Sequence, residues 1–114
     1  DVLDILIQAL PKDDNLSRRT AFFWGYFDDM YISLKHQIDV LRSGGWIFCV
    51  VGNSLHGPMN DPNMRVPVAS DLIIALIAEA LDLEVKAIQV ARYLKRRSPH
   101  NNLLRESILI FQKR

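Results

Sequence analysis

The chain has 114 residues, of which 49% are hydrophobic and 24% are charged, and its formal net charge is only +1. A chain of this length can bury about two-thirds of its unfolded surface in one domain, so it needs neither a disulfide nor a metal to fold. The single cysteine, Cys49, rules out a disulfide within the chain and favours a reducing, cytoplasmic setting, and no apolar run reaches the roughly 18 residues that span a membrane.

The first part of the chain is predicted to be helical. Apolar residues recur at helical spacing from Val2 to Leu10, and Pro11 with the charged residues after it ends this pattern, so residues 1–17 are expected to form a short helix and a turn. A long amphipathic helix follows, capped by Ser17 and ended by Gly44 or Gly45. Its apolar side is expected to consist of Phe23, Phe27, Met30, Tyr31, Leu34, Ile38 and Leu41.

The stretch from Trp46 to Val51 is apolar without alternation and rich in β-branched and aromatic residues. This pattern predicts a strand that is covered on both faces. The segment from Gly52 to Pro67 is rich in glycine, asparagine and proline and longer than an ordinary connection, so we expect a functional or mobile loop without regular structure.

The remainder predicts one helix and two strands. Ser70 is expected to cap a helix that ends near Leu81, with Asp71 complementing the helix dipole. Residues 84–91 and 107–111 then read as strands that pair antiparallel, because the loop between them has no room for a crossover helix. The predicted fold class is therefore α/β, with three strands, the last two antiparallel, and two main helices.

Three segments, GGWIFCVVGNS (44–54), VPVASDLIIALIAEALDLEV (66–85) and LLRESILIF (103–111), occur in an order that resembles a known family. They are similar to the closing part of class I S-adenosylmethionine-dependent DNA methyltransferases that modify amino groups of adenine or cytosine. The resemblance implies one domain over residues 1–114, with residues 18–114 forming the C-terminal half of a Rossmann-like methyltransferase. It also implies that the last strand inserts antiparallel between the two strands before it.

The motifs that carry cofactor binding and catalysis in this family have no counterpart here. A Gly-rich turn after the first strand and an acidic residue after the second cannot be placed, and no Asp-Pro-Pro-Tyr or Ser-Pro-Pro-Tyr motif precedes the long helix. We therefore assign no catalytic, cofactor-binding or metal-binding residue. S-adenosylmethionine is expected only if a missing N-terminal half completes the site, and whether the chain is an enzyme stays open. The alternatives are a non-catalytic nucleic-acid-binding or protein-interaction module, or a small α/β protein with a coincidental likeness.

Asn53 and Ser54 are the candidate substrate-pocket residues. They follow the predicted strand 46–51 at its carboxyl end, where α/β sheets usually bind ligands, so in a complete enzyme they could line a target-base pocket. Both residue types also favour turns, and a purely structural role is the competing interpretation. Arg105, at the start of the last strand, is interpreted as a structural residue that holds a carbonyl or a carboxylate.

Positive charge is concentrated near the end of the chain. Residues 1–83 carry six Lys and Arg against 11 Asp and Glu, whereas residues 84–114 carry eight against two. The loop between the last two strands is expected to contact DNA phosphates, or else to be ordinary solvated surface. Its candidate contacts are Arg92, Lys95, Arg96, Arg97 and His100.

The strand at residues 46–51 also predicts association. In the resembled fold it has neighbours on both sides, but here only the last strand is available to pair with it. An apolar strand with an open edge tends to recruit another strand. We therefore expect a homo-oligomer or a complementing chain at this edge, an exchange of elements between copies, or coverage of the edge by residues 1–17.

Overall fold

A computed structural model describes residues 2–9, 16–56, 65–95 and 103–114. Three helices and five strands occur in these ranges. In chain order they are α1 (Val2–Ala9), α2 (Leu16–Val40), β1 (Trp46–Gly52), β2 (Ser54–His56), β3 (Val66–Val68), α3 (Ser70–Ala80), β4 (Leu83–Lys95) and β5 (Leu103–Lys113).

The main sheet contains three strands in the order β1-β5-β4. The central strand β5 is antiparallel to both neighbours, with Cys49 opposite Leu109 on one side and Ile88 opposite Leu109 on the other. The expected three strands are confirmed, as is the antiparallel pairing of the last two. β4 and β5 are both longer than predicted. They stay paired along their whole length and form a two-stranded ribbon that reaches the basic residues at the end of β4.

A second, two-stranded sheet lies in the segment that was expected to have no regular structure. Ser54 to His56 pair antiparallel with Val66 to Val68, while residues 57–64 lie outside the described part of the chain. Pro67 occupies one of these strands, which is tolerated because a short two-stranded ribbon leaves the outer edges unpaired. The expectation of a wholly irregular loop is wrong where these six residues pair.

The hydrophobic core lies on one face of the main sheet. Phe23, Phe27 and Leu34 of α2 are buried at helical spacing, which confirms the predicted apolar side of this helix in part, although Tyr31 keeps 41% of its surface exposed. They share the core with residues of α3 and of the strands, namely Ile73, Ile74, Ala78, Ile47, Val51, Leu83, Leu109 and Phe111. Leu3, Leu6 and Ile7 of α1 pack against the same cluster.

The opposite face of β1 is only partly covered by the described residues. Trp46, Phe48 and Val50 alternate along the strand and keep 48%, 65% and 64% of their surface exposed. The expectation that this strand is covered on both faces is therefore wrong for the described residues. An uninterrupted apolar run shows that neither face favours water, but it does not specify which faces have partners.

The junction between α2 and β1 explains the two glycines. Gly44 has a φ of +80°, the left-handed conformation that glycine adopts without steric cost, and a Cβ on Gly45 would lie 2.6 Å from the Leu41 side chain. Lys113 of β5 donates from its Nζ to the carbonyl oxygens of Ile38 and Leu41 at 2.6 and 2.7 Å. Carbonyl groups at the end of α2 thus accept hydrogen bonds from a side chain of the central strand. At the other end Ser17 lies inside α2, which begins at Leu16, so it does not occupy the predicted cap position.

None of the helices in the described ranges combines the length and the apolarity that crossing a lipid bilayer requires.

Candidate functional site

The carboxylate of Asp71 joins α3 to the centre of the sheet. Arg105 of β5 donates to it from Nε at 2.8 Å and from Nη2 at 3.1 Å, and Ser107 Oγ donates at 2.8 Å. The backbone N–H of Leu72 adds a fourth hydrogen bond at 2.8 Å. The Asp71 side chain is fully buried, whereas Arg105 keeps 35% of its side chain exposed. Such a bidentate arginine–carboxylate pair fixes orientation as well as distance.

Asn53 links the end of β1 to this network. Its backbone N–H donates to the carbonyl of Arg105, and its side-chain Oδ1 accepts a hydrogen bond from the backbone N–H of Asp71, both at 3.1 Å. Asn53 therefore satisfies a free amide in the first turn of α3 from outside the helix. Ser70, the predicted cap, makes no capping hydrogen bond, because the helix begins at Ser70 itself and Ala69 occupies the cap position.

The network lowers the pKa of the Asp71 carboxyl below its usual range. Burial by itself raises this pKa, but hydrogen bonds from Arg105, Ser107 and the Leu72 amide, together with the charge of Arg105, outweigh the burial. The same hydrogen bond and the charge of Asp71 raise the pKa of Arg105. Asp71 is therefore a fixed anion at neutral pH and serves as a structural anchor rather than as a proton carrier.

A small cavity of about 180 Å³ opens beside this anchor, at the carboxyl end of β1. Ser54, His56 and Ser70 contribute polar groups to its wall, and Ser54 Oγ lies 2.7 Å from His56 Nε2. Phe22, Phe23 and Tyr26 of α2 and Gly52 of β1 complete the lining. The cavity thus combines aromatic walls with hydroxyl and imidazole groups that can bond a polar ring edge.

The aromatic walls are held in a defined arrangement. The Phe22 and Tyr26 rings stack at an interplanar angle of 13° with centroids 6.1 Å apart, and His56 meets Phe23 edge-on at 4.7 Å. Phe23 is buried in the core, while Phe22 is 58% exposed at the mouth of the cavity. Burial raises the pKa of Tyr26, with a smaller contribution from Cys49, so its phenol stays protonated and able to donate.

A wider, open groove of about 770 Å³ continues from the same mouth. It is lined by Arg18, Arg19, Ala21, Phe22 and His56. Phe22 and His56 therefore border both spaces, and the cationic residues of the first turn of α2 lie next to the aromatic cavity.

The two predicted pocket residues lie on different sides of the chain. Ser54 lines the aromatic cavity, whereas Asn53 borders a separate cavity of about 320 Å³ together with Tyr93 and Arg105. Because the side-chain oxygen of Asn53 is bonded to α3, this residue orients the helix that flanks the cavity instead of lining it.

The predicted DNA-contact residues are only partly described. Arg92 lies on β4 and pairs with Glu106 of β5 at 2.9 Å, with 65% of the Arg92 side chain exposed. Lys95 ends β4, and Arg96, Arg97 and His100 lie outside the described residues. Tyr93 is 63% exposed near Arg92 on the same strand.

Sequence reasoning missed several residues of the site. Phe22, Arg18 and Arg19 were not singled out, although their spacing on a helix with Tyr26 is visible in the sequence. Asp71 was assigned only to the helix dipole, and its pairing with Arg105 brings together residues 34 positions apart, which no local pattern reveals.

The described residues support neither a cysteine nucleophile nor a metal site. Burial raises the pKa of the Cys49 thiol, so this side chain is not an activated nucleophile. Within the described ranges, no group of three or more His, Cys, Asp or Glu side chains is placed to hold a metal ion.

No protein-family model, curated protein or solved structure matches this chain.

Replacing Asp71 by Asn is expected to lower the free energy of unfolding by about 2 kcal/mol, because Arg105 and Ser107 lose the charged acceptor between them. The loss stays below that of a fully buried ion pair since Arg105 is partly exposed. Urea unfolding followed by circular dichroism measures it. Glu106→Gln, which removes the carboxylate partner of the exposed Arg92 side chain, is the matched control and should cost at most about 1 kcal/mol. Equal losses in the two variants would contradict the anchoring role.

Acidification should remove the stability difference between the wild type and Asp71→Asn. The folded-state pKa of Asp71 lies below the unfolded value of about 3.9, so its stabilising effect is fully present above that pH and is lost as the pH falls through the folded-state pKa. Unfolding free energies of both proteins, measured from pH 7 downward, should therefore converge only below about pH 4. Glu84→Gln provides a control, because the pKa of Glu84 is also lowered, by a hydrogen bond from Lys86, but in an exposed pair whose effect salt should abolish. A gap for Asp71→Asn that stays constant with pH would contradict the lowered pKa.

Proposed function

We propose that the chain is the C-terminal part of an S-adenosylmethionine-dependent DNA methyltransferase that modifies an exocyclic amino group, and that it is inactive without a complementing part. The observation that carries the proposal is the strand order β1-β5-β4 with the later strand antiparallel between the two earlier ones. This is the arrangement expected from the sequence resemblance, and two of its three strands, β1 and β5, lie in segments on which the resemblance rests.

The aromatic cavity supports a role in holding the target base. It lies at the carboxyl end of β1, and its volume of about 180 Å³ suits one base rather than a base pair. Ser54 and His56 supply hydrogen-bonding groups at the cavity wall, and the phenol of Tyr26 lies on the helix opposite. Such groups can recognise the polar edge of a base that has left the DNA stack.

In this proposal, a complementing chain supplies the cofactor-binding and catalytic residues. The Gly-rich turn, the ribose-binding acid and the Asp-Pro-Pro-Tyr type of motif have no place in residues 1–114. S-adenosylmethionine therefore enters only with a complementing chain. The ribbon of β4 and β5, with Arg92 and Tyr93 exposed near its basic end, would face the DNA backbone.

Complementation tests this function directly. The chain alone should give no heat on titration with S-adenosylmethionine, whereas the chain mixed with an N-terminal half of a DNA amino-methyltransferase that carries both missing motifs should bind the cofactor and transfer tritiated methyl groups to DNA. Ser54→Ala should reduce the transfer rate about tenfold, in line with the loss of one positioned polar group, while Ser33→Ala on the exposed side of α2 should not. Absence of both binding and transfer in the mixture would overturn the proposal and favour a non-catalytic binding module.

We further propose that β1 accepts a strand from a complementing chain or from a second copy. Among the described residues only β5 pairs with β1, so no described strand takes up the N–H and C=O groups of its other edge, and the seven residues of β1 include no charge. Proteins usually protect such edges with lysine, proline or a bulge, and none of these occurs in WIFCVVG.

Sedimentation equilibrium tests this association. The wild type is expected to sediment as a dimer or larger species, and Phe48→Lys should shift it toward the monomer, because a charge on the strand opposes pairing with a neighbour. Ile32→Lys is the matched control on the exposed side of α2 and should leave the distribution unchanged. A wild-type monomer with rapid amide exchange along residues 46–51 would refute association at this edge.

A further inference from the structure

The first three turns of α2 place a cation, an exposed ring and a phenol in one row. Arg18, Phe22 and Tyr26 are spaced four residues apart, so they lie on the same side of the helix about one turn from one another. Phe22 stacks on Tyr26, with the ring centroids 6.1 Å apart and the ring planes 13° from parallel. The row begins in the open groove and ends in the aromatic cavity.

We propose that this row is a nucleotide-binding track, in which Phe22 stacks on a base and Arg18, with Arg19 beside it, binds the adjoining phosphate. The proposal rests on the proposed function and deepens it, because it assigns the phosphate contact of the flipped nucleotide to α2 instead of to the basic ribbon of β4 and β5.

Three features of the site favour a nucleotide over a purely apolar ligand. Phe22 is 58% exposed, so a large ring stands in water at the mouth where a base can cover it. Arg18 and Arg19 line the open groove and not the aromatic cavity, so a phosphate bound there would keep its contact with solvent. Ser54 and His56 in the cavity wall carry hydroxyl and imidazole groups, which can hydrogen-bond to a polar ring.

The geometry also matches the layout of one nucleotide. Four residues, which rise about 6 Å along the helix axis, separate Arg18 from Phe22, and this is comparable with the separation of a base from its own phosphate. Because Phe23 and Phe27 are locked in the core, the rotation of α2 about its axis is fixed, and the row cannot turn away from the groove. Stacking on an aromatic ring is tolerant of base identity, whereas the inner polar groups provide discrimination.

The test is fluorescence anisotropy with a labelled single-stranded oligodeoxyadenylate of about ten nucleotides, which is long enough for one aromatic-lined site. Phe22→Leu is expected to weaken binding by about tenfold, the typical effect of removing one base-stacking ring. Tyr31→Leu, another exposed aromatic residue on α2, is the matched control and should bind as the wild type does. Thermal unfolding of each variant checks that the fold is intact.

The salt dependence identifies the phosphate contact. Arg18→Gln should reduce the slope of log affinity against log salt by about 0.7, the value for one phosphate contact on a single strand. Arg42→Gln, exposed beyond the other end of α2, should leave the slope unchanged. Competition by adenosine, which lacks phosphate, should be weakened by Phe22→Leu and not by Arg18→Gln.

The inference and the proposed function fail in different ways. Binding to the oligonucleotide needs neither the cofactor nor a complementing chain, so intact binding with no methyl transfer would overturn only the methyltransferase assignment. If Phe22→Leu and Arg18→Gln behave like their controls while methyl transfer occurs on complementation, the nucleotide track is wrong and the proposed function stands.

Discussion

A buried carboxylate holds the described part of this molecule together. An isolated charge in a protein interior is strongly unfavourable, and Asp71 is fully buried, so its position is acceptable only where donors surround it. Arg105, Ser107 and the Leu72 amide provide four hydrogen bonds from one strand and one helix. Asn53 then ties the end of β1 to both of them. The carboxylate therefore sets where three elements meet.

The hydrogen-bond network around Asp71 also determines the shape of the aromatic cavity. Ser54 directly follows Asn53, and Ser70 directly precedes Asp71, and both serines line the cavity. Two of its polar groups are thus next in sequence to residues that the network fixes. The opposite wall comes from α2, whose orientation is set by the buried rings of Phe23 and Phe27. A rigid polar wall and a rigid aromatic wall result from two separate packing constraints, one electrostatic and one hydrophobic.

The parts of the fold that follow from local patterns were accessible from the sequence, and those that depend on long-range partners were not. Helical spacing predicted α2 and α3, and the apolar run around Cys49 predicted β1, because each pattern lies within one element. Arg105 was expected to hold a carbonyl or a carboxylate, but its partner Asp71 lies in another element. Asn53 was expected in a pocket together with Ser54, yet consecutive residues leaving a strand point to opposite sides, so only one of them lines the cavity.

The order of the strands has a consequence for how the sheet assembles. In the main sheet β1 and β4 share no hydrogen bonds, because the strand made after both of them lies between them. During synthesis, β1 and β4 are made before β5. Neither of them can pair within this sheet until β5 has been added. The pairing of β1 with β5 spans a long stretch of chain, and closing such a large loop slows folding. The interval before β5 arrives is therefore when the apolar ring side chains of β1 are most exposed to wrong partners.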